Sequence, residues 1–150
     1  EGMPALLGKA SSQRGCRSLE DGLLVIADDY WAEHCDFGVG GVRSPTLLGQ
    51  GRAGEIVVNV VLPFFFAWAD ANSQPRLADR IIGLYEAYPR LGQNWITRRM
   101  EELLVGEKAS EVVNSARRQQ GLLHLYHIYC MERRCTQCPV GKCKVISQNP

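Results

Sequence analysis

Residues 55–69, EIVVNVVLPFFFAWA, hold one acid and one amide in an otherwise apolar run, and such a run has to find an interior. Taken alone it fits a buried strand or a buried helix. Its length and its alanines favour a buried helix, kinked where Pro63 removes a backbone donor. The flanking segments agree with a helical fold. Ser18-Leu19-Glu20-Asp21 is a near capping box, and Leu23, Ile26, Ala27, Tyr30 and Trp31 follow at helical spacing to about His34. The glycine-rich DFGVGGVRSPTLLGQG reads as a connection. Pro75 occupies a first helical position, with Leu77, Ile81, Leu84, Tyr85 and Tyr88 on one apolar face before Pro89. Asn94 can cap a further helix that places Ile96, Met100, Leu103 and Leu104 inward, with Gly106 past its end. Ser110 is the candidate cap of a longer helix running through Val113, Ala116, Leu122 and Tyr129 into Cys130. No repeat, low-complexity block or credible strand pair is evident. The expectation is therefore all-α: about five helices in a single domain with a C-terminal cysteine-rich loop. Its divisions are a flexible leader over 1–17, a helical domain over 18–129 and a cysteine-rich metal- or cluster-binding tail over 130–150.

A chain of 150 residues can bury a core without covalent staples. With 45% hydrophobic and 22% charged residues it has the composition of a soluble globular protein. No apolar run approaches the ~20 residues of a membrane span. Glu1-Gly2-Met3-Pro4 lacks the basic start and apolar stretch of a secretory leader, so a cytoplasmic location is expected. The start without Met suggests a piece of a longer chain. The net charge of +1 hides an asymmetry: residues 1–97 carry eight Lys/Arg against eleven Asp/Glu, and residues 98–150 carry nine against five. From Arg117 onward Arg117, Arg118, Arg133, Arg134, Lys142 and Lys144 face Glu132 alone, which suits an anionic partner or a solvated charged face.

The basic end is also the cysteine end. Four of the six cysteines form Cys130-x4-Cys135-x2-Cys138-x4-Cys143, close enough for one centre to collect all four thiolates. A dense cluster in an intracellular chain points to metal or redox chemistry before disulfides; the plain alternative is four unligated thiols. Structural zinc favours two C-x2-C pairs on separate knuckles, and only Cys135 and Cys138 form one here. A cubane iron–sulfur cluster is often held by a compact, uneven run with a proline beside a ligand, as in Cys138-Pro139. His127, one helical turn before Cys130, is an alternative ligand that would complete a zinc site of three cysteines and one histidine; His124 lies a further turn back.

A helix ending in Cys, followed by Cys-x2-Cys-Pro, an aliphatic residue and a last Cys, resembles the C-terminal iron–sulfur loop of the endonuclease III and adenine glycosylase family of DNA repair enzymes. The likeness implies a [4Fe-4S] cluster on Cys130, Cys135, Cys138 and Cys143. Its first and last gaps are shorter than that family's, and the Leu-Pro-Gly-hydrophobic-Gly hairpin with its catalytic Asp is missing, so base excision is not implied. GQGRAGEIVVNVVLPFFFAWA, ARRQQGLLHLYHIYC and RCTQCPV resemble the C-terminal part of a bacterial family of unknown function, domain of unknown function 2851, whose longer members carry a preceding segment. That resemblance implies no activity, and its cysteine pattern comprises three thiols.

Other motifs carry less. GQGRAG, Gly49 to Gly54, matches G-x-G-x-x-G, but VRSPTLL is a poor strand to precede a dinucleotide site; glycines entering a helix beside Arg52 could instead bind a phosphate. Arg98-Arg99 and Arg117-Arg118 bind phosphate or pair with Glu101, Glu102 and Glu111. His34-Cys35 lacks an orienting third group and reads as structural. Trp31, Trp68, Trp95 and Phe64-Phe65-Phe66 are expected in the core, with bases as stacking partners for any that are exposed. No catalytic residue is evident, and an enzyme would need residues outside this chain. The leading expectation is a helical module with a four-cysteine centre, [4Fe-4S] or otherwise zinc, presenting a basic face to DNA or RNA through Arg52, Arg117, Arg118, Arg133 and Arg134. The alternative is a zinc-stabilised interaction or scaffolding domain that meets a protein partner or the missing N-terminal region, and neither reading involves a membrane.

Overall fold

A computed structural model describes residues 13–27, 29–41 and 46–141. The chain is mostly helical, as expected, and separates into two compact units, Glu1–Tyr88 and Pro89–Pro150.

In the first unit, helix α1 spans Gln13–Asp21. It starts before Ser18, so Ser18 is not the cap and residues 13–17 are helical instead of leader. It also stops at Asp21. The expected continuation to His34 is replaced by a short strand, a 3-10 turn over Tyr30–Ala32 and the start of a second strand, and two short antiparallel ladders correct the expectation of no strand pair. Strand β1 (Val25–Ile26) pairs with β4 (Thr46–Leu48), and β2 (His34–Asp36) pairs with β3 (Val39–Gly40). Gly38, at φ 77°, supplies the left-handed turn between β2 and β3, and its amide donates to the Tyr30 hydroxyl at 2.8 Å. Strands of two or three residues leave no periodic trace in a sequence.

The apolar run is helical, as expected, within a 22-residue stretch over Gln50–Ala71. Helix α2 (Gln50–Ile56) passes through a π-turn at Val57–Val61 into α3 (Leu62–Ala71). The wide turn, in which the Leu62 amide reaches back to the Val57 carbonyl, precedes Pro63 and relieves the clash its ring would make. The stretch is long and apolar enough to cross a membrane by length and composition, contrary to the expectation that no run comes near a span; a core helix passes the same test. It is not wholly buried. Val57, Val58, Val61, Leu62 and Ala69 face the core, but Val60, Phe64, Phe66 and Trp68 are exposed, which corrects the placement of these aromatics inside. Helix α4 (Pro75–Ala87) returns along α3 and buries Ile81 and Leu84 as the pattern implied.

The first unit is closed by a buried polar contact. Tyr88, 1% exposed, donates its hydroxyl to the buried Glu20 carboxylate, which Gln50 approaches at 3.4 Å. Burial, then the hydrogen bond and charge of Glu20 and the neighbouring Cys16, push the Tyr88 phenol far up. Burial and Glu20 also raise the Cys16 thiol.

In the second unit Asn94 caps α5 (Trp95–Leu104) by the expected local device: its side chain accepts from the Thr97 amide at 2.8 Å, and the Thr97 hydroxyl accepts from the Asn94 amide at 3.1 Å. Gly106 follows at φ 66°. Ser110 does not cap the next long helix. It lies inside a short helix α6 (Ala109–Val112), and Ser115 caps α7 (Ala116–Leu125) through the Arg118 amide. The break is tertiary. Arg90 donates to the Val113 carbonyl at 3.2 Å, and Ser115 bridges Pro89 in extended conformation. Arg90 Nη2 also donates to both oxygens of the buried Glu101 carboxylate, at 2.9 and 2.8 Å, and Gln93 adds a bond of 2.6 Å. Gln119 clamps the Leu91 backbone from both sides, accepting from its amide and donating to its carbonyl. Met100, Val113 and Leu122 form the core, with Ile96, Leu104, Leu125, Tyr126 and Cys130 against it.

Two outcomes are expected. Tyr88 and Cys16 are held neutral in the fold with raised pKa values, so their contribution is complete below their ordinary values and is lost as pH climbs past about 9–10. Denaturant unfolding across alkaline pH will show the first unit weakening there, and Tyr88→Phe will flatten the tyrosine part while itself costing about 1–3 kcal/mol. Arg90→Ala will destabilise the second unit by about 3–5 kcal/mol, because it strands the Glu101 carboxylate, and urea unfolding measures that loss.

Candidate functional site

The thiol loop follows from how α7 ends. At Leu125 the helix widens into a π-turn, Tyr126–Cys130, in which the Met131 amide reaches the Tyr126 carbonyl at 3.0 Å. Arg133, at φ 53°, then reverses the chain: its amide bonds the Cys130 carbonyl at 3.1 Å, and the Arg134 amide reaches the Tyr129 carbonyl at 2.8 Å. A second turn closes over Cys135–Cys138, where the Cys138 amide is shared between the Arg134 and Cys135 carbonyls at 3.1 and 3.3 Å. Gly141 closes it from the far side. A methyl group there would stand 2.5 Å from the Cys135 carbonyl oxygen and 3.3 Å from the Cys138 Cβ.

These turns bring three of the expected ligands into one neighbourhood. Cys130 is half-buried, with its thiol 3.9 Å from the sulfur of Met100; Cys138 is buried and Cys135 exposed. Burial first, then Cys138 and Cys135, raise the Cys130 thiol above its ordinary value. Cys143 lies outside the described residues, and among those no three His, Cys, Asp or Glu side chains stand where they could hold a metal ion.

His127, the alternative ligand, faces elsewhere. Its Nδ1 lies 3.1 Å from the Met131 sulfur and its ring is edge-on to Tyr126 at 5.5 Å. His34 is similarly occupied, with Nδ1 2.8 Å from the Tyr30 carbonyl oxygen and its ring stacked on Tyr30 at 3.9 Å; the Cys35 side chain is outside the described residues.

The arginines divide by their partners. Arg52 pairs with Glu55, Arg118 donates to the Val112 carbonyl, and Arg134 stands 3.6 Å from Glu132. Arg117 and Arg133 are exposed. Glu101, expected beside Arg98, Arg99, Arg117 or Arg118, belongs to Arg90 instead. Arg98 and Arg99 are exposed and form no ion pair among the described residues. GQGRAG does follow a strand, β4, but this pairs antiparallel with β1 and builds no βαβ unit, so the dinucleotide reading stays excluded.

One feature escaped the sequence. Trp95 is 64% exposed and stands edge-on to Tyr126 at 5.6 Å, so Trp95, Tyr126 and His127 form a continuous string of rings. The only available signal was that Trp95 immediately follows a helix cap, on the side opposite Met100 and Glu101.

The model of a family described as "Protein of unknown function (DUF2851)" matches residues 3–93, more than half of the chain. No curated protein and no solved structure matches. The matched span includes the first unit's apolar helix and ends before the thiol loop, and nothing in the comparisons extends to the endonuclease III enzymes. By that match the chain belongs to the DUF2851 family.

Proposed function

We propose that this chain is a non-catalytic helical module whose C-terminal tail is tied down by a metal centre and whose second unit presents a basic face to nucleic acid. The ligands are Cys130, Cys135 and Cys138, with Cys143 as the fourth, and the group is a [4Fe-4S] cluster. The observation that supports it is the double turn over residues 130–141, which sets Cys135 and Cys138 on one tight turn and closes on Gly141 with no room for a side chain. The donor chemistry suits the group: soft sulfur donors without a carboxylate among them, one beside the Met100 thioether. A bound centre would supply the cross-links that a loop of few apolar contacts lacks. The excess of cations over residues 98–150 supports the nucleic-acid part. The single tight C-x2-C turn also suits zinc, and a zinc-tied scaffold without a nucleic-acid role is the second reading.

Protein purified without oxygen will be brown and contain iron and sulfide in near-equal amounts, and Cys138→Ser will lose both. One zinc per chain without colour selects the second reading; neither metal sinks the centre altogether. Gly141→Ala will weaken metal binding about 10- to 100-fold, as expected for displaced ligands, whereas Gly121→Ala, whose added methyl meets nothing within 4 Å, will leave it unchanged. Competition with a metallochromic chelator measures both.

A further inference from the structure

We infer that the nucleic acid taken by the second unit is single-stranded, and that its bases stack on Trp95 at the head of the Trp95–Tyr126–His127 string. The inference rests on the nucleic-acid part of the reading above and is independent of which metal the thiols hold. A large indole is 64% exposed in a unit that buries Met100, Val113 and Leu122 successfully, so its exposure is not forced by a failed core. It is also rigidly presented. Trp95 is the first residue of α5, its backbone fixed by the reciprocal Asn94–Thr97 bonds, and Tyr126 braces the ring edge-on at 5.6 Å. Little freedom remains to be lost when a flat partner lands on it.

The charge around the ring decides which flat partner fits. Arg98 and Arg99 follow Trp95 at three and four residues, one helical turn along the same exposed face, and form no ion pair among the described residues. Glu102, a turn further on, opposes them, while Glu101 is buried against Arg90. Phosphates are thus drawn to the Trp95 end of the helix. An aromatic platform flanked by two guanidinium groups is the arrangement that binds unpaired bases through their π faces and the backbone through its charge. Bases inside a duplex are already stacked and cannot reach an indole without being unpaired, so the platform discriminates against double strands.

Fluorescence anisotropy with labelled oligodeoxythymidine, oligouridine and a mixed-sequence duplex of equal length tests this on the whole chain. Either single strand is expected to bind more tightly than the duplex. Trp95→Ala and Trp95→Leu are expected to weaken single-strand binding about tenfold or more, with Trp95→Phe retaining most of it. The leucine variant keeps apolar bulk without a π face, and unchanged helical circular dichroism shows that its loss is not unfolding. Arg98→Gln with Arg99→Gln is expected to reduce the slope of log affinity against log salt. Equal or tighter duplex binding, or full affinity in Trp95→Leu, overturns the inference while leaving the basic-face reading in place. No binding of any of the three probes at low salt overturns that reading as well.

Discussion

Two buried carboxylates, Glu20 and Glu101, fix the two units, and the side chains that answer them stand two residues apart. A carboxylate removed from water without a partner is among the most expensive groups a fold can hold. Tyr88 serves Glu20 and Arg90 serves Glu101, with Pro89 between. The segment 88–90 therefore ends one unit and begins the next with a specific polar contact on each side. In the second unit the start of α7 depends on it. Arg90 also holds the Val113 carbonyl, Pro89 holds Ser115 extended, and the helical path breaks there. Ser115 then caps α7, and the phase of α7 decides where Cys130 meets Met100.

That dependence explains which parts of the fold were legible in the sequence. The Asn94 cap, the Pro75 helix start and the Gly106 stop are local devices, carried by residues within one turn of each other, and the structure has all three. Ser110 was the cap expected from the sequence. It lost to Ser115 because residues some two dozen positions away claim the intervening backbone, which no window around Ser110 contains. The helix expected over 18–34 failed for a related reason: its apolar spacing is genuine but is divided between a two-residue strand at Ile26 and a 3-10 turn over Tyr30–Ala32. The apolar run was helical as its length implied. Its burial was overestimated because hydropathy does not say how many sides of a helix have neighbours.

The candidate site divides in the same way. Cysteine spacing drew attention to the loop because the thiols are close in sequence, and the structure folds that stretch into two successive backbone turns that the spacing permits. Gly141 was invisible as a participant; its value lies in a contact with a carbonyl six residues back. Trp95 was misplaced because an aromatic residue beside a cap carries no sign of which way it faces.

The loop and the ring string meet on shared residues, and this gives the proposed centre a role beyond tying down a terminus. Cys130 touches Met100, Met100 lies on α5 five residues after Trp95, and Tyr126 both joins the Met100 core and braces the indole. A binding surface made of few side chains gains most from being ordered before its partner arrives, since each ring immobilised on binding subtracts from affinity. In the proposed reading, a centre on Cys130 removes freedom from the π-turn that carries Tyr126 and His127. In that reading a metal would act on the partner without touching it, by holding the end of α7 against the start of α5.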